Sequence, residues 1–235
     1  MPTLLQAATS QVGRKILTGL TGLFLVLFIA FHLGGNLAIF GEADAMNRYS
    51  MMLHNFGPLL WLARIGLLVV FVIHAWIGIS IWINKRRARP QKYEVYSSKG
   101  GPSKQSLSSR SMAFTGVVLL IFVVFHINTF ALGDTGTVVI DGQQTHDIKT
   151  LVIDTFQNSA YYAFGYAFVM LLLGTHLGHG IWSAFTSLGM KNKKSSALVY
   201  TIGGVLAILF AVGFLFIPLY IYFGGGCEAA LIQCN

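Results

Sequence analysis

Five stretches of this chain are each long and apolar enough to cross a lipid bilayer, and that leaves few folds open to it. They run over residues 16–40, 58–84, 112–132, 160–188 and 197–223. A helix crossing the hydrocarbon core needs about 20 mostly apolar residues, so each run is read as one transmembrane helix. Glycines and a proline inside the runs, such as Gly19, Gly22, Gly174, Gly178 and Pro218, do not oppose this. Small residues allow close helix contact, and neighbouring helices satisfy freed backbone groups. The expected fold is an all-α integral membrane protein, a five-helix bundle forming a single domain over residues 1–235.

Charge agrees with this and sets a direction. Only 10% of the residues are charged, against about a quarter in an ordinary soluble domain. The net charge of +8 does not form a stripe, which argues against a nucleic-acid partner. It sits in short clusters between the apolar runs, as positive-inside topology requires. Arg14 and Lys15 precede the first run, and Lys85 to Arg110 form a long basic second connection. Lys191, Lys193 and Lys194 mark the fourth. The first connection has Arg48 beside Glu42 and Asp44, and the third has Lys149 among four aspartates. The N-terminus is therefore expected in the cytoplasm and the C-terminus outside, in a multi-pass protein of the cell's inner (cytoplasmic) membrane.

Ala43-Asp44-Ala45 resembles a cleavage site, but the run before it is far longer than a signal-peptide core. No internal repeat is obvious, which gives an inverted-repeat transporter little support. Cys227 and Cys234 fall in the outward tail, where either a disulfide or two free thiols fit.

The histidines point to chemistry. Seven occur. His146 is read as solvated in an Asp-rich loop and His54 as interfacial, whereas His32, His74, His126, His176 and His179 lie inside the spans. An ionisable side chain in the hydrocarbon region is costly and points to function. With about 1.5 Å of rise per residue, His32 lies roughly 27 Å beyond Arg14, and His126 roughly 24 Å beyond Arg110. On the returning helices, His74 lies roughly 24 Å from Pro58, and His176 roughly 24 Å from Ala160. This places two histidine pairs, His32 with His126 and His74 with His176, at two depths on the order of 10 Å apart in a core about 30 Å thick.

Catalytic zinc normally takes a third protein ligand. Di-iron carboxylate bundles need glutamates on the helices, and no Glu lies in any span. Proton relays usually add a carboxylate. Two imidazoles in an apolar slot suit a haem held from both sides, with Gly78, Gly35 and Gly180 near the ligands to make room. No Cys-x-x-Cys-His occurs, so the haems are expected to be non-covalent, two haem b. Arg14 and Thr18 share a helix face with His32 and are placed to meet a propionate of the inner haem. Arg64 is placed to meet one of the outer haem. Snorkelling to the interface is the other reading of both arginines. His179 projects close to His176. Depth favours His176 as ligand, with His179 a neighbour of the ligand or of a propionate.

The segments Phe31-His32-Leu33 with Asn36, Ile73-His74-Ala75 with Gly78, Phe125-His126, and His176-Leu177-Gly178-His179-Gly180-Ile181-Trp182-Ser183 resemble, in order, the di-haem cytochrome b anchor of succinate:quinone oxidoreductases. The likeness is to the single-polypeptide, five-helix type and covers Arg14 to Phe223. It implies His32 and His126 on a distal haem and His74 and His176 on a proximal one. In that family the position of His179 can carry another residue. It also implies membrane lipids as surroundings, and an iron–sulfur subunit carrying a flavoprotein subunit that oxidises succinate or reduces fumarate. The remaining partner would be a quinone, commonly menaquinone. Glu42, Asp44 and Arg48 would lie near the quinone end and exchange protons with quinol, if they are not simply a solvated loop. The di-haem subunits of formate dehydrogenases or hydrogenases share this chemistry, and a haem-free transporter is the remaining alternative.

Overall fold

A computed structural model of the chain describes residues 3–88, 107–192 and 194–225. Five helices are long and apolar enough to span a membrane: Gln11–Phe40, Pro58–Arg87, Ser108–Ala131, Ala160–Ser187 and Ser196–Gly224. The protein is thus a multi-pass membrane protein. The observed spans run past the apolar runs because helical hydrogen bonding continues into the polar flanks. Lys85, Arg86 and Arg87 form the last turn of the second, where cations suit the negative end of the helix.

In chain order the α-helices are α1 (Leu4–Thr9), α2 (Gln11–Leu37), α3 (Ala45–His54), α4 (Pro58–Arg87) and α5 (Leu107–His126). They continue with α6 (Ile148–Gln157), α7 (Ala160–Ser187) and α8 (Ser196–Tyr220), and β1 (Thr137–Ile140) pairs with β2 (Gln143–His146) between α5 and α6. Helix α1 begins with a capping box, Thr3 and Gln6 each serving the other's backbone N–H. Immediately after His126 the helix widens into a π turn, Ile127–Ala131. The β1–β2 turn places Asp141 and Gly142 at φ 50° and 76°, as a tight two-residue hairpin requires.

The chain divides into two compact units. One comprises Met1–Leu27, Leu67–Leu120 and Leu173–Ile208; the other comprises Phe28–Gly66, Ile121–Leu172 and Leu209–Asn235. In the first, small residues bring helices together. A Cβ on Gly19 would lie 3.4 Å from the Cα of Ala184, and one on Gly203 would lie 3.2 Å from Ile181. The second has a core of Leu33, Ile39, Ile140, Ile153, Phe156, Ala163 and Ile221, all at most 5% exposed. Large apolar side chains such as Leu62, Trp76 and Phe125 stay exposed, which in a spanning helix is the face that meets lipid.

Apolar run length does not reveal α3, α6 or the hairpin, which fall in the connections between spans. Ten-residue helices escape that reading because their apolar residues are few and confined to one face, as with Val152, Ile153 and Phe156 of α6. The absence of a repeat also needs correcting. Thr21-Gly22 precedes His32, and Thr115-Gly116 precedes His126, by the same eleven residues; Phe28 and Phe31 match Phe122 and Phe125 in that register. A ten-residue helix then follows in each half, α3 and α6. His74 and His176 are both followed four residues later by Gly-Ile.

Candidate functional site

In the first unit, His74 of α4 faces His176 of α7. Their ring centroids are 6.4 Å apart and the planes cross at 70°. Two imidazoles bound to one metal from opposite sides, with metal–nitrogen bonds of about 2 Å, have centroids roughly 6.3 Å apart. The observed pair matches that spacing. Each ring is held from behind by a threonine of another helix: Thr21 Oγ1 lies 3.2 Å from His74 Nδ1, and Thr115 Oγ1 lies 3.1 Å from His176 Nδ1. The Thr18 backbone is a further partner of His74. The glycine after each threonine makes room for the ring. A Cβ on Gly22 would come 3.2 Å from His74 Cε1, and one on Gly116 would come 3.4 Å from His176 Cε1.

The reading from sequence did not single out Thr21 or Thr115. The repeated Thr-Gly eleven residues before a histidine was the available signal. At Gly78 and Gly180 an added Cβ meets nothing within 4 Å. His179 turns to Trp182, with centroids 6.1 Å apart, so the structure brings His176 and not His179 to His74. Thr18 spends its hydroxyl on the Arg14 carbonyl at 2.7 Å. Arg14 donates from Nε to the Thr9 carbonyl at 3.0 Å and lines a cavity of about 480 Å³ with Trp76, Ser80, Asn84 and Arg87.

In the second unit His32 of α2 faces His126 of α5, centroids 5.6 Å apart and planes at 89°. Phe28 stacks on His32 at 5.2 Å, and Phe122 stacks on His126 at 5.6 Å, each from one turn earlier on its own helix. Phe214, Phe130 and Tyr166 complete an aromatic wall. Asn36 Nδ2 lies 3.4 Å from His32 Nε2, and His126 Nδ1 is buried without a hydrogen-bond partner. An unpaired buried nitrogen is costly unless something else satisfies it. The centroids of this pair are less than 1 Å closer than the roughly 6.3 Å of two imidazoles bound to one metal.

Among the described residues no group of three or more His, Cys, Asp or Glu gathers as a metal site. The His74–His176 pair has glycines behind its rings and the His32–His126 pair has an aromatic wall, and each is a two-nitrogen donor set of the kind that would suit a haem.

The residues expected near a quinone fall in an extramembrane cap built by α3, the hairpin and α6 of the second unit. Arg48 forms an ion pair with Asp141 in the hairpin turn, and this carboxylate keeps the guanidinium more firmly protonated. Glu42 is exposed, and Asp44 is partly buried at the start of α3. Arg64 is exposed and lies over the Trp61 ring at 5.3 Å. Gly35 does not make room for a cofactor. A Cβ there would meet Cε1 of Tyr49 at 2.4 Å, so the glycine seats Tyr49 of α3. His146 is not a free loop residue but part of β2, 2.8 Å from Thr135 Oγ1 and 5.5 Å by centroid from His54.

Lys149, read as a loop charge, is 7% exposed and donates to the Ala43 carbonyl at 2.8 Å. Asn47 ties the cap together, donating to Asp147 Oδ1 and accepting from the Lys149 backbone N–H, both at 2.9 Å. Asn47→Ala strands those buried groups and is expected to destabilise the cap by about 1–3 kcal/mol, seen as faster limited proteolysis between α3 and α6. Burial raises the Asp147 pKa, but hydrogen bonds from Asn47 and Thr150 and the charge of Lys149 outweigh it, and the net shift is downward. A carboxyl whose folded pKa is depressed stabilises fully above its ordinary value and loses that contribution as pH falls through the folded one. The cap is therefore expected to loosen only in acid below the usual carboxylate range, and Asp147→Asn is expected to flatten that dependence.

Comparison of the chain with family models and with curated proteins returns no match.

Proposed function

We propose that the chain is the di-haem cytochrome b membrane subunit of a succinate:quinone oxidoreductase or quinol:fumarate reductase. In this reading it anchors an iron–sulfur subunit and a flavoprotein subunit and passes electrons between the clusters and a membrane quinone, with menaquinone the expected one. The observation that carries the reading is the opposed pair His74 and His176 at the spacing of two axial ligands, with a second opposed pair, His32 and His126, in the other unit. When bound, haem supplies reversible one-electron transfer. The chain's own residues do the rest. Four imidazoles would hold and orient the two groups, Phe28, Phe122 and Phe214 would exclude water from one pair, and the threonine hydroxyls would fix the rings of the other.

In this reading the N-terminus is cytoplasmic, and the basic connection from Lys85 to Arg110 faces the iron–sulfur subunit and lipid headgroups. Lys92, Lys99 and Lys104, from which crosslinks to that subunit are expected, lie outside the described residues, as do Cys227 and Cys234. With Arg48 engaged by Asp141, Glu42 and Asp44 are the carboxylates left to exchange protons with quinol. Mass spectrometry of the intact complex, beside its optical spectrum, tests the proposal. An iron–sulfur subunit and a flavoprotein with covalently bound flavin are expected to co-purify with a b-type spectrum. A formate dehydrogenase or hydrogenase partner would replace this reading, and a spectrum without haem would end it.

A further inference from the structure

We propose that Thr21 and Thr115 are positioning residues that fix the tautomer of His74 and His176, leaving each Nε2 as the free electron pair. The proposal rests on the reading of these histidines as haem ligands.

A threonine has one hydroxyl hydrogen and two lone pairs. Thr21 Oγ1 lies 2.7 Å from the Leu17 carbonyl, a group that only accepts, and 3.2 Å from His74 Nδ1. The hydrogen goes to the carbonyl in the shorter bond, so the oxygen meets His74 as an acceptor and Nδ1 carries the proton. At Thr115 the distances barely differ, but two carbonyls compete for the single hydrogen. Oγ1 has the Ser111 carbonyl at 3.1 Å and the Met112 carbonyl at 3.2 Å, and His176 Nδ1 at 3.1 Å, and a proton on Nδ1 is the arrangement that leaves both carbonyls a donor to share. Thr115 is only 1% exposed, so water does not take either partner's place.

A neutral imidazole protonated at Nδ1 presents Nε2 to a metal, and a hydrogen bond at the far nitrogen both orients the ring and strengthens it as a donor. The glycine after each threonine brings the ring close enough for that bond. An independent observation supports a selected device. The same Thr-Gly stands at the same interval before His32 and His126 in both halves of the repeat, although the intervening residues largely differ. The pair in the second unit has no such partner at His126 Nδ1.

The test compares Thr21→Val and Thr115→Val, which keep the side-chain shape, with Thr21→Ser and Thr115→Ser, in the purified full-length protein. Haem per chain is counted and each haem's midpoint potential is read by EPR-monitored titration. Removing the acceptor weakens the ligand and favours ferrous over ferric iron. The valine variants should therefore raise the potential of one haem, a tenfold loss of preference for ferric over ferrous iron corresponding to roughly 59 mV. The other haem should be unmoved, and serine should restore the parent value. Loss of one haem in the valine variants with full recovery by serine supports the same role. Nitrogen-15 NMR of the haem-free protein gives a second readout: His74 and His176 should be protonated at Nδ1, and the valine variants should lose that preference. Retention of both haems at unchanged potential, or Nε2–H tautomers in the parent, overturns the device and leaves the haem reading intact. A parent protein that binds no haem overturns the haem reading itself.

Discussion

Replacing His176 with alanine is expected to halve the haem bound per chain, while His179→Ala leaves it whole. The two histidines are one turn apart on α7, but only the His176 ring faces His74, at 6.4 Å between centroids, with Thr115 behind it. The His179 ring rests beside Trp182, on which the Lys191 ammonium also sits, 4.1 Å from the centroid. Without His176, one imidazole and a neighbour turned elsewhere would leave the proposed haem a single protein ligand and weaken its retention. His74→Ala should match His176→Ala, and His32→Ala and His126→Ala should each remove the other haem. His54→Ala and His146→Ala should remove none, since their rings pair with each other in the cap. Pyridine haemochrome assay gives the count, and low-temperature EPR shows which ferric signal is lost. A His179→Ala protein lacking one haem, beside a His176→Ala protein that keeps both, would reverse the ligand assignment.

The second large effect is expected at Gly35, where an alanine methyl would sit 2.4 Å from Cε1 of the Tyr49 ring and 2.8 Å from its Cζ. Contacts that short cannot persist, so Gly35→Ala must displace the Tyr49 ring or push α3 away from α2. Overpacking of this kind typically costs about 1–3 kcal/mol. The loss should appear as a lower unfolding midpoint in denaturant. Because Gly35 lies one turn after His32, it should also appear as weaker retention of the haem proposed for His32. Pairing Gly35→Ala with Tyr49→Ala removes the colliding ring and should recover part of the midpoint. No recovery in the double variant would show that the glycine is needed for another reason.

Much of this protein was legible in its sequence because the bilayer makes severe demands. A span must be about 20 apolar residues long, so the five spanning helices could be read to within a few residues. A histidine in such a span stands out against its neighbours. Helical rise then ranks histidines by depth, which is why His74 with His176 and His32 with His126 could be paired before any contact was known. The cap was not legible. α3, α6 and the hairpin are too short to carry a hydropathy signal, although Asp141-Gly142 was a turn signal on the page.

Other features were decided only by tertiary structure. Lys149 counts as a loop charge until Asn47 and the Ala43 carbonyl, both roughly a hundred residues away, are seen to bury it. Gly35 and Gly22 look alike in sequence, yet one seats a tyrosine of α3 and the other an imidazole of α4. Thr21 and Thr115 are ordinary helix residues bonded to their own backbone until a ring from another helix arrives at the remaining lone pair. Apolar length and the depth of a polar group are set locally along one helix. Which face of that helix meets which neighbour depends on packing between segments distant in the chain, and a single helix does not encode it.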